Sequence, residues 1–340
     1  VTQDRSIPSR RPDGFVPAVQ RWSAHFPPET GSLYVAYSAV QAKDEAVIAG
    51  SSFIAWAKAA TQGPVAPAIV DHGRFTDKAG RLNHVVIGYW SDKTAFDRWA
   101  AEQASWWDDP ARLGEATGYW REWLDVPLDR QETIYFKDFP AGLARLPTAM
   151  LEKTPESGYW GAMRERIPLA RTDALLSSAG TELVSRAVPS EGRRIRIAPP
   201  GNLAVIRSGQ MWEWCGKEQL DEYFDMLKPR LEQGMAYLKD NAQATGCCDM
   251  RYMRHCDAEG AARQETSVNS LFLTLADMER WSEHHPTHKA IFGEAIRQVM
   301  KYKDKREFRT WHEVFVLPAQ GQLFEYLNCH PETGLLPFFA

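Results

Sequence analysis

The chain has 340 residues, with 40 lysines and arginines against 44 aspartates and glutamates, a net charge of -4 with histidine neutral. Charged residues at 25% and hydrophobic ones at 44% exclude a disordered or collagen-like chain, and the missing basic excess argues against a nucleic-acid binder. Thirteen tryptophans beside 15 phenylalanines and 11 tyrosines are an excess that suits a large core or the walls of a flat apolar pocket. No run approaches about 18 apolar residues, and VTQDRSIPSRRPDGFVPAVQRW lacks the apolar stretch of a secretory signal. A cytoplasmic protein with no membrane association is therefore expected. The five cysteines form no disulfide pattern, Cys247-Cys248 read as ordinary thiols, and the absence of C-x-x-C-H speaks against covalent haem attachment.

Residues 1–30 hold Pro8, Pro12, Pro17, Pro27 and Pro28 and read as an extended arm. A first half, 31–140, begins with the strand-like LYVAYSAVQ (33–41) and a helical stretch over 43–60. Strands near 67–75 and at 84–90 (HVVIGYW) follow, then a helix opened by Asp92, and ETIYFKDF (132–139) closes the half as a strand. Residues 141–200 read as an insertion carrying SGYWGAMRERIP. A second half, 201–320, repeats the order: GNLAVIRSG (201–209), a helical stretch over 216–240, and strands near 249–256 and 267–275. Asp277 opens the next helix, and FRTWHEVFV (308–316) is the last strand, before a C-terminal extension, 321–340. Asp92…Phe96-x-Arg98-Trp99 is echoed by Asp277-Met278-x-Arg280-Trp281. Each half reads βαββαβ, so the expected class is α+β with duplicated ferredoxin-like halves, two antiparallel sheets face to face and helices outside.

On such sheets the informative residues are polar ones on apolar faces. Alternation sets His312 on one side of the last strand with Phe308, Thr310, Val314 and Val316. Glu132 shares a face with Ile134 and Phe136, and is either a partner for His312 or a strand-end acid reaching solvent. Pro286 breaks any helix through His284, His285 and His288, which argues against a zinc helix, and itself suits a first helical position. A helix over 286–303 then stacks His288 with Ile291, Phe292, Ala295, Ile296 and Val299, a setting that suits either a core histidine or the axial ligand of a buried haem. Ser208 ends the run Leu203–Ile206 and either faces the interior or caps a turn with Gly209. Arg166 and the cation-rich KYKDKREFR (301–309) read most simply as solvated.

The blocks SGYWGAMRERIP (157–168), NLAVIRSGQ (202–210), ERWSEHHPTHKAIF (279–292), WHEVFV (311–316) and FEYLNCHPETGLL (324–336), with RRPDGF and VVIGYW (85–90), resemble the aldoxime dehydratases, haem lyases that turn aldoximes into nitriles. The resemblance spans the whole chain. It implies a dimeric α+β-barrel-type haem domain, a homodimer, and non-covalent haem b that is ferrous when active. By matching motifs it makes His288 the axial haem ligand, His312 the distal catalytic histidine, Ser208 the hydroxyl on the oxime oxygen, Arg166 the distal arginine and Glu132 the supporting acid. The segment between His288 and His312 is slightly longer than in the family, and the extra residues are expected in the turn 301–309.

On this reading the oxime nitrogen binds ferrous iron while His312 protonates the departing hydroxyl and then takes the C–H proton. Ser208 and Arg166 orient and stabilise the leaving oxygen. A haem peroxidase or chlorite-decomposing enzyme of related barrel fold is the alternative, and it would not need Ser208 beside His312.

Overall fold

The computed structural model describes residues 5–186 and 188–340. Its strands are β1 (Arg21–His25), β2 (Ser32–Ala42), β3 (Ile69–Thr76), β4 (Leu82–Trp90), β5 (Gly118–Pro127), β6 (Gln131–Ile134), β7 (Met150–Thr154), β8 (Arg194–Ile197), β9 (Leu203–Met211), β10 (Cys247–Cys256), β11 (Ala262–Phe272), β12 (Arg309–Leu317) and β13 (Leu323–Leu327). The helices are α1 (Glu45–Ala49), α2 (Ser52–Ala60), α3 (Lys93–Asp108), α4 (Ala162–Arg166), α5 (Lys217–Glu222), α6 (Lys228–Asp240), α7 (Ala242–Thr245), α8 (Leu275–His284), α9 (Pro286–Tyr302) and α10 (Leu336–Phe339).

Strand β1 pairs with β7; the other strands form one curled antiparallel sheet in the order β6-β12-β9-β11-β10-β3-β4-β2-β5-β13-β8. The two separate sheets expected from sequence are thus joined. Residues Arg254–Cys256 of β10 pair with His72–Arg74 of β3, which removes two edges that would otherwise leave backbone groups unpaired. On either side of this seam the strand order is the same: β5-β2-β4-β3 in the first set and β12-β9-β11-β10 in the second.

Several elements differ from the sequence reading. The strand that closes the first set is β5, not 132–139. GYWREWLDVP carries adjacent charges that obscure its apolar alternation, and these charges are buried in ion pairs, Arg121 with Glu325 (2.7 Å) and Glu122 with Arg251 (2.6 Å). Residues Gln131–Ile134 instead form the short edge strand β6 against β12. The helical stretch 43–60 divides at Gly50–Ser51, after Asp44 has capped α1 by accepting from Val47 N. Helix α8 is opened by Thr274, not Asp277: Thr274 accepts from the Asp277 backbone N–H (2.9 Å) and donates to its carboxylate (2.6 Å). A π-turn, Tyr223–Leu227, interrupts the stretch 216–240.

The inner faces of the curled sheet meet over Tyr37, Ile87, Trp120, Leu203, Leu271 and Phe315. Outside the first strand set, Trp56, Trp90, Trp99, Trp107 and Trp123 pack with Phe53 under α2 and α3. Three of their buried N–H groups find acceptors, Trp90 on Val65 O, Trp99 on Ala60 O and Trp123 on Ser38 Oγ, while those of Trp56 and Trp107 find none among the described residues. Much of the tryptophan excess therefore seals this layer. The corresponding layer outside the second set is built from α6, α8 and the outward residues of β9–β12.

Candidate active site

Strands β9 and β12 pair in a register that sets Ser208 opposite His312 and Arg207 opposite Glu313. Because side chains alternate, the first pair points to the helix-covered face and the second into the sheet interior. Ser208 is therefore neither a strand end nor a turn cap, since β9 runs on to Met211; its hydroxyl lies 3.4 Å from Trp311 O.

Edge strand β6 pairs Ile134 with His312 and Glu132 with Val314, so Glu132 shares the His312 face. Its carboxylate is wholly buried. Arg166, at the end of α4, donates Nε–H to Glu132 Oε2 at 2.6 Å, and its Nη1 donates to Glu156 O. The Arg166 side chain is 4% exposed, so the solvated placement expected for it is corrected: its ion pair with Glu132 supplies the compensation that burial requires. His312 Nε2 lies 3.0 Å from Arg166 Nη2 and 2.8 Å from Glu132 Oε1. The contact to Oε1 is an ion pair only when the ring is protonated; with the ring neutral, that buried oxygen has no donor among the described residues. Burial alone would raise the Glu132 carboxyl pKa; the Arg166 charge, then His312, outweigh it and hold the group below the ordinary carboxylate range. Glu132, Arg166 and His312, far apart in sequence, thus form one cluster, with Ser208 on the adjoining strand.

His288 lies on the first turns of α9, after His285 has capped the helix by accepting from Thr287 N. Its Nδ1 lies 2.7 Å from Ser282 O, and because a carbonyl can only accept, Nδ1 carries the proton. Nε2 is left with its lone pair. Burial pushes the imidazole pKa down to about 4, against the opposing pull of the Ser282 carbonyl, so the ring is neutral at ordinary pH. Trp281 and Trp160 pack beside it, with ring centroids 4.8 and 5.9 Å away. Trp160 also touches Phe292 (4.7 Å) and leads directly into α4, so a single short segment joins the surroundings of His288 to Arg166.

The stripe expected to bury α9 behaves differently. Ile291, Phe292, Ala295 and Val299 are half-buried and Ile296 is 38% exposed, whereas Glu294 and Gln298, on another face, are buried. An apolar helix face left half open beside a neutral imidazole with a free lone pair has the donor set and the wall that a haem requires. The site residues present fit that group, with His288 as the residue that would hold its iron.

The sequence reading overlooked the interior pair. Arg207, with no exposed surface, donates to Asp71 Oδ2 (2.8 Å) and to Tyr89 Oη, and Tyr89 donates to Glu313 Oε1 (2.6 Å). The Leu143 N–H holds the other Glu313 oxygen (2.9 Å). A charged residue inside LAVIRSG, one place from Ser208, was the available signal. Arg306 was missed as well: it is buried, although 301–309 reads as solvated.

A helix-borne neutral imidazole, an apolar wall and a separate acid–base cluster on a curled antiparallel sheet define a haem enzyme of α+β class. The chain belongs to the haem-containing dehydratase family, whose model matches residues 36–335. It is 34% identical to the aliphatic aldoxime dehydratase of Pseudomonas chlororaphis over 98% of this chain and 94% of that one. It is 30% identical to the phenylacetaldoxime dehydratase of Bacillus sp. (strain OxB-1), over 96% and 94%. A crystal structure of an aldoxime dehydratase in complex with butyraldoxime superposes with a TM-score of 0.88 at 32% identity, covering 99% of this chain and 94% of that one. No helix among the described residues is long and apolar enough to cross a membrane.

Proposed function

We propose that the protein dehydrates alkyl or arylalkyl aldoximes to nitriles, R–CH=N–OH giving R–C≡N and water. The observation that carries this reading is the His312 imidazole set between the Arg166 guanidinium and the buried Glu132 carboxylate, with Ser208 opposite it. The names of the relatives point to the same substrate class.

The proposed cofactor is haem b, held non-covalently by His288 and ferrous in the active enzyme; when bound it supplies an electron-rich Lewis centre for the oxime nitrogen. The remaining work falls to this chain. Hydroxide is a poor leaving group and must leave as water. His312, protonated, gives its proton to the oxime oxygen as the N–O bond breaks, and once neutral it takes the proton from carbon. Atoms balance, and the histidine ends as it began. Nε2 suits both states, because Arg166 can donate to the neutral ring and Glu132 can accept from the protonated one. Ser208 orients the hydroxyl, and Arg166 stabilises charge on the departing oxygen.

We further propose that 31–140 and 201–320 are duplicated ferredoxin-like units, with 1–30 an arm, 141–200 an insertion and 321–340 an extension. The matching strand orders support this reading. Family likeness supports a homodimer.

The test is to record the absorption spectrum of the purified protein, reduce it anaerobically, add butyraldoxime and measure butyronitrile. A Soret band with nitrile formation is expected. Bound ferrous haem that forms no nitrile from any alkyl or arylalkyl aldoxime would overturn the reading.

A further inference from the structure

Arg306 is 5% exposed, yet its Nε and Nη2 are buried without a hydrogen-bond partner among the described residues. It is one of three arginines gathered round a single ring: the guanidinium carbons of Arg21, Arg309 and Arg306 lie 4.3, 5.2 and 5.6 Å from the centroid of Phe136. The nearby acids are already engaged. Asp138 receives Arg309 through three bonds of 2.9, 3.2 and 2.6 Å, and Glu307 accepts from Gly216 N at 2.7 Å. Arg21 reaches Tyr135 O (3.2 Å), Thr310 O (2.7 Å) and Thr310 Oγ1 (3.5 Å). Glu132, which it feels at longer range, is committed to Arg166.

Cation–π attraction to Phe136 offsets part of this crowding, but an aromatic face cannot receive the orphaned N–H groups of Arg306. A guanidinium withdrawn from water with no counter-ion is strongly unfavourable. Consistent with that, burial and then Arg309 lower the Arg306 pKa to about 10, and burial with neighbouring arginines lowers that of Arg21 to about 9. Both stay charged at neutral pH, and neither forms an ion pair among the described residues.

The position of the cluster gives a counter-ion a context. Thr310, which receives Arg21, is two residues from His312 on the same face of β12, about 7 Å along the strand. We propose that Arg306 and Arg21, set round Phe136, form a site for a carboxylate, either a propionate of the haem or a free carboxylate bound beside the substrate. The propionate source rests on the haem reading above; the free-carboxylate source does not.

The experiment compares wild type, R306Q, R306K and R21Q. Each protein is loaded with haem b or with its dimethyl ester, and the rate of haem transfer to excess apomyoglobin is followed. For the propionate source, R306Q and R21Q lose haem b about ten-fold faster than wild type while R306K stays within about three-fold. The ester then leaves all four proteins at one rate. For the free-carboxylate source, haem loss is equal throughout, but butyrate raises the Tm of wild type and R306K and not that of R306Q or R21Q. Two results overturn the site: R306Q and R21Q matching wild type in both measurements, or the ester being lost from them as fast as haem b, which marks a loosened fold. If no protein takes up haem, the haem reading fails and the butyrate series alone decides the carboxylate site.

Discussion

His312 acquires its character from two neighbours that make opposite demands. Arg166 can only donate and Glu132, ionised, can only accept, so the ring between them tolerates either protonation state. His288 has the reverse setting, a single carbonyl acceptor and apolar surroundings that keep it neutral. The two substitutions should therefore separate. His312→Ala keeps its Soret band and loses about 10²- to 10⁴-fold in nitrile formation, the usual worth of a proton-transfer group. His288→Ala purifies largely haem-free. Normal turnover in the first variant, or full haem content in the second, would remove the role proposed for that residue. Both histidines were legible in the sequence as imidazoles on apolar faces. Glu132 was legible only as one of two alternatives, a partner for His312 or a strand-end acid, because it reaches His312 through an edge strand whose pairing no local pattern reveals.

At the scale of the strand pair, β9 and β12 carry two chemistries back to back. Ser208 and His312 face the helices, while Arg207 and Glu313, their immediate neighbours, are tied inside the sheet to Asp71, Tyr89 and Leu143 of the first half. A one-residue slip would exchange these faces, so the interior ion pairs hold the register on which the outer site depends. Gly209 is part of the same fit. A Cβ there would overlap the Trp311 ring, so the indole beside His312 would have to move. Gly209→Ala should lower stability by about 1–3 kcal/mol, the usual cost of overpacking, and reduce nitrile formation along with it. Denaturant midpoints and turnover measured on the same sample check this; an unchanged midpoint would show that Trp311 moves freely.

Across the whole molecule, the seam between β10 and β3 makes the first half a support for the second. Where the first half fills its outer layer with tryptophan, the second leaves α9 half open, so equivalent strand orders carry different layers. The sheet also stores a pH sensitivity. His84, 5% exposed with both ring nitrogens unpartnered among the described residues, is pushed down to about 4, first by burial and then by Arg74 and His72. Unfolded, it takes its proton near 6.5. As pH falls from 6.5 towards 4 the unfolded chain gains protons that the folded one refuses, and stability drops by about 3 kcal/mol over that window, returning as pH rises. His84→Gln cannot titrate and should show a smaller fall in Tm between those limits. An acid limb identical to that of wild type would assign the loss to other groups.

By itself the sequence determined most of the strand and helix types, the alternation that sets His312 on an apolar face of the last strand, and the helix-borne position of His288 after Pro286. These are properties of short-range pattern, set by periods of about 2 and 3.6 residues. Only the tertiary structure decided that the two strand sets join in one sheet, that GYWREWLDVP closes the first, and that Glu132 crosses to the second. It also decided that Arg121, Glu122, Arg166, Arg207 and Arg306 are buried. A charge reads as exposed until its partner is known, and these partners lie on strands brought together only by sheet closure.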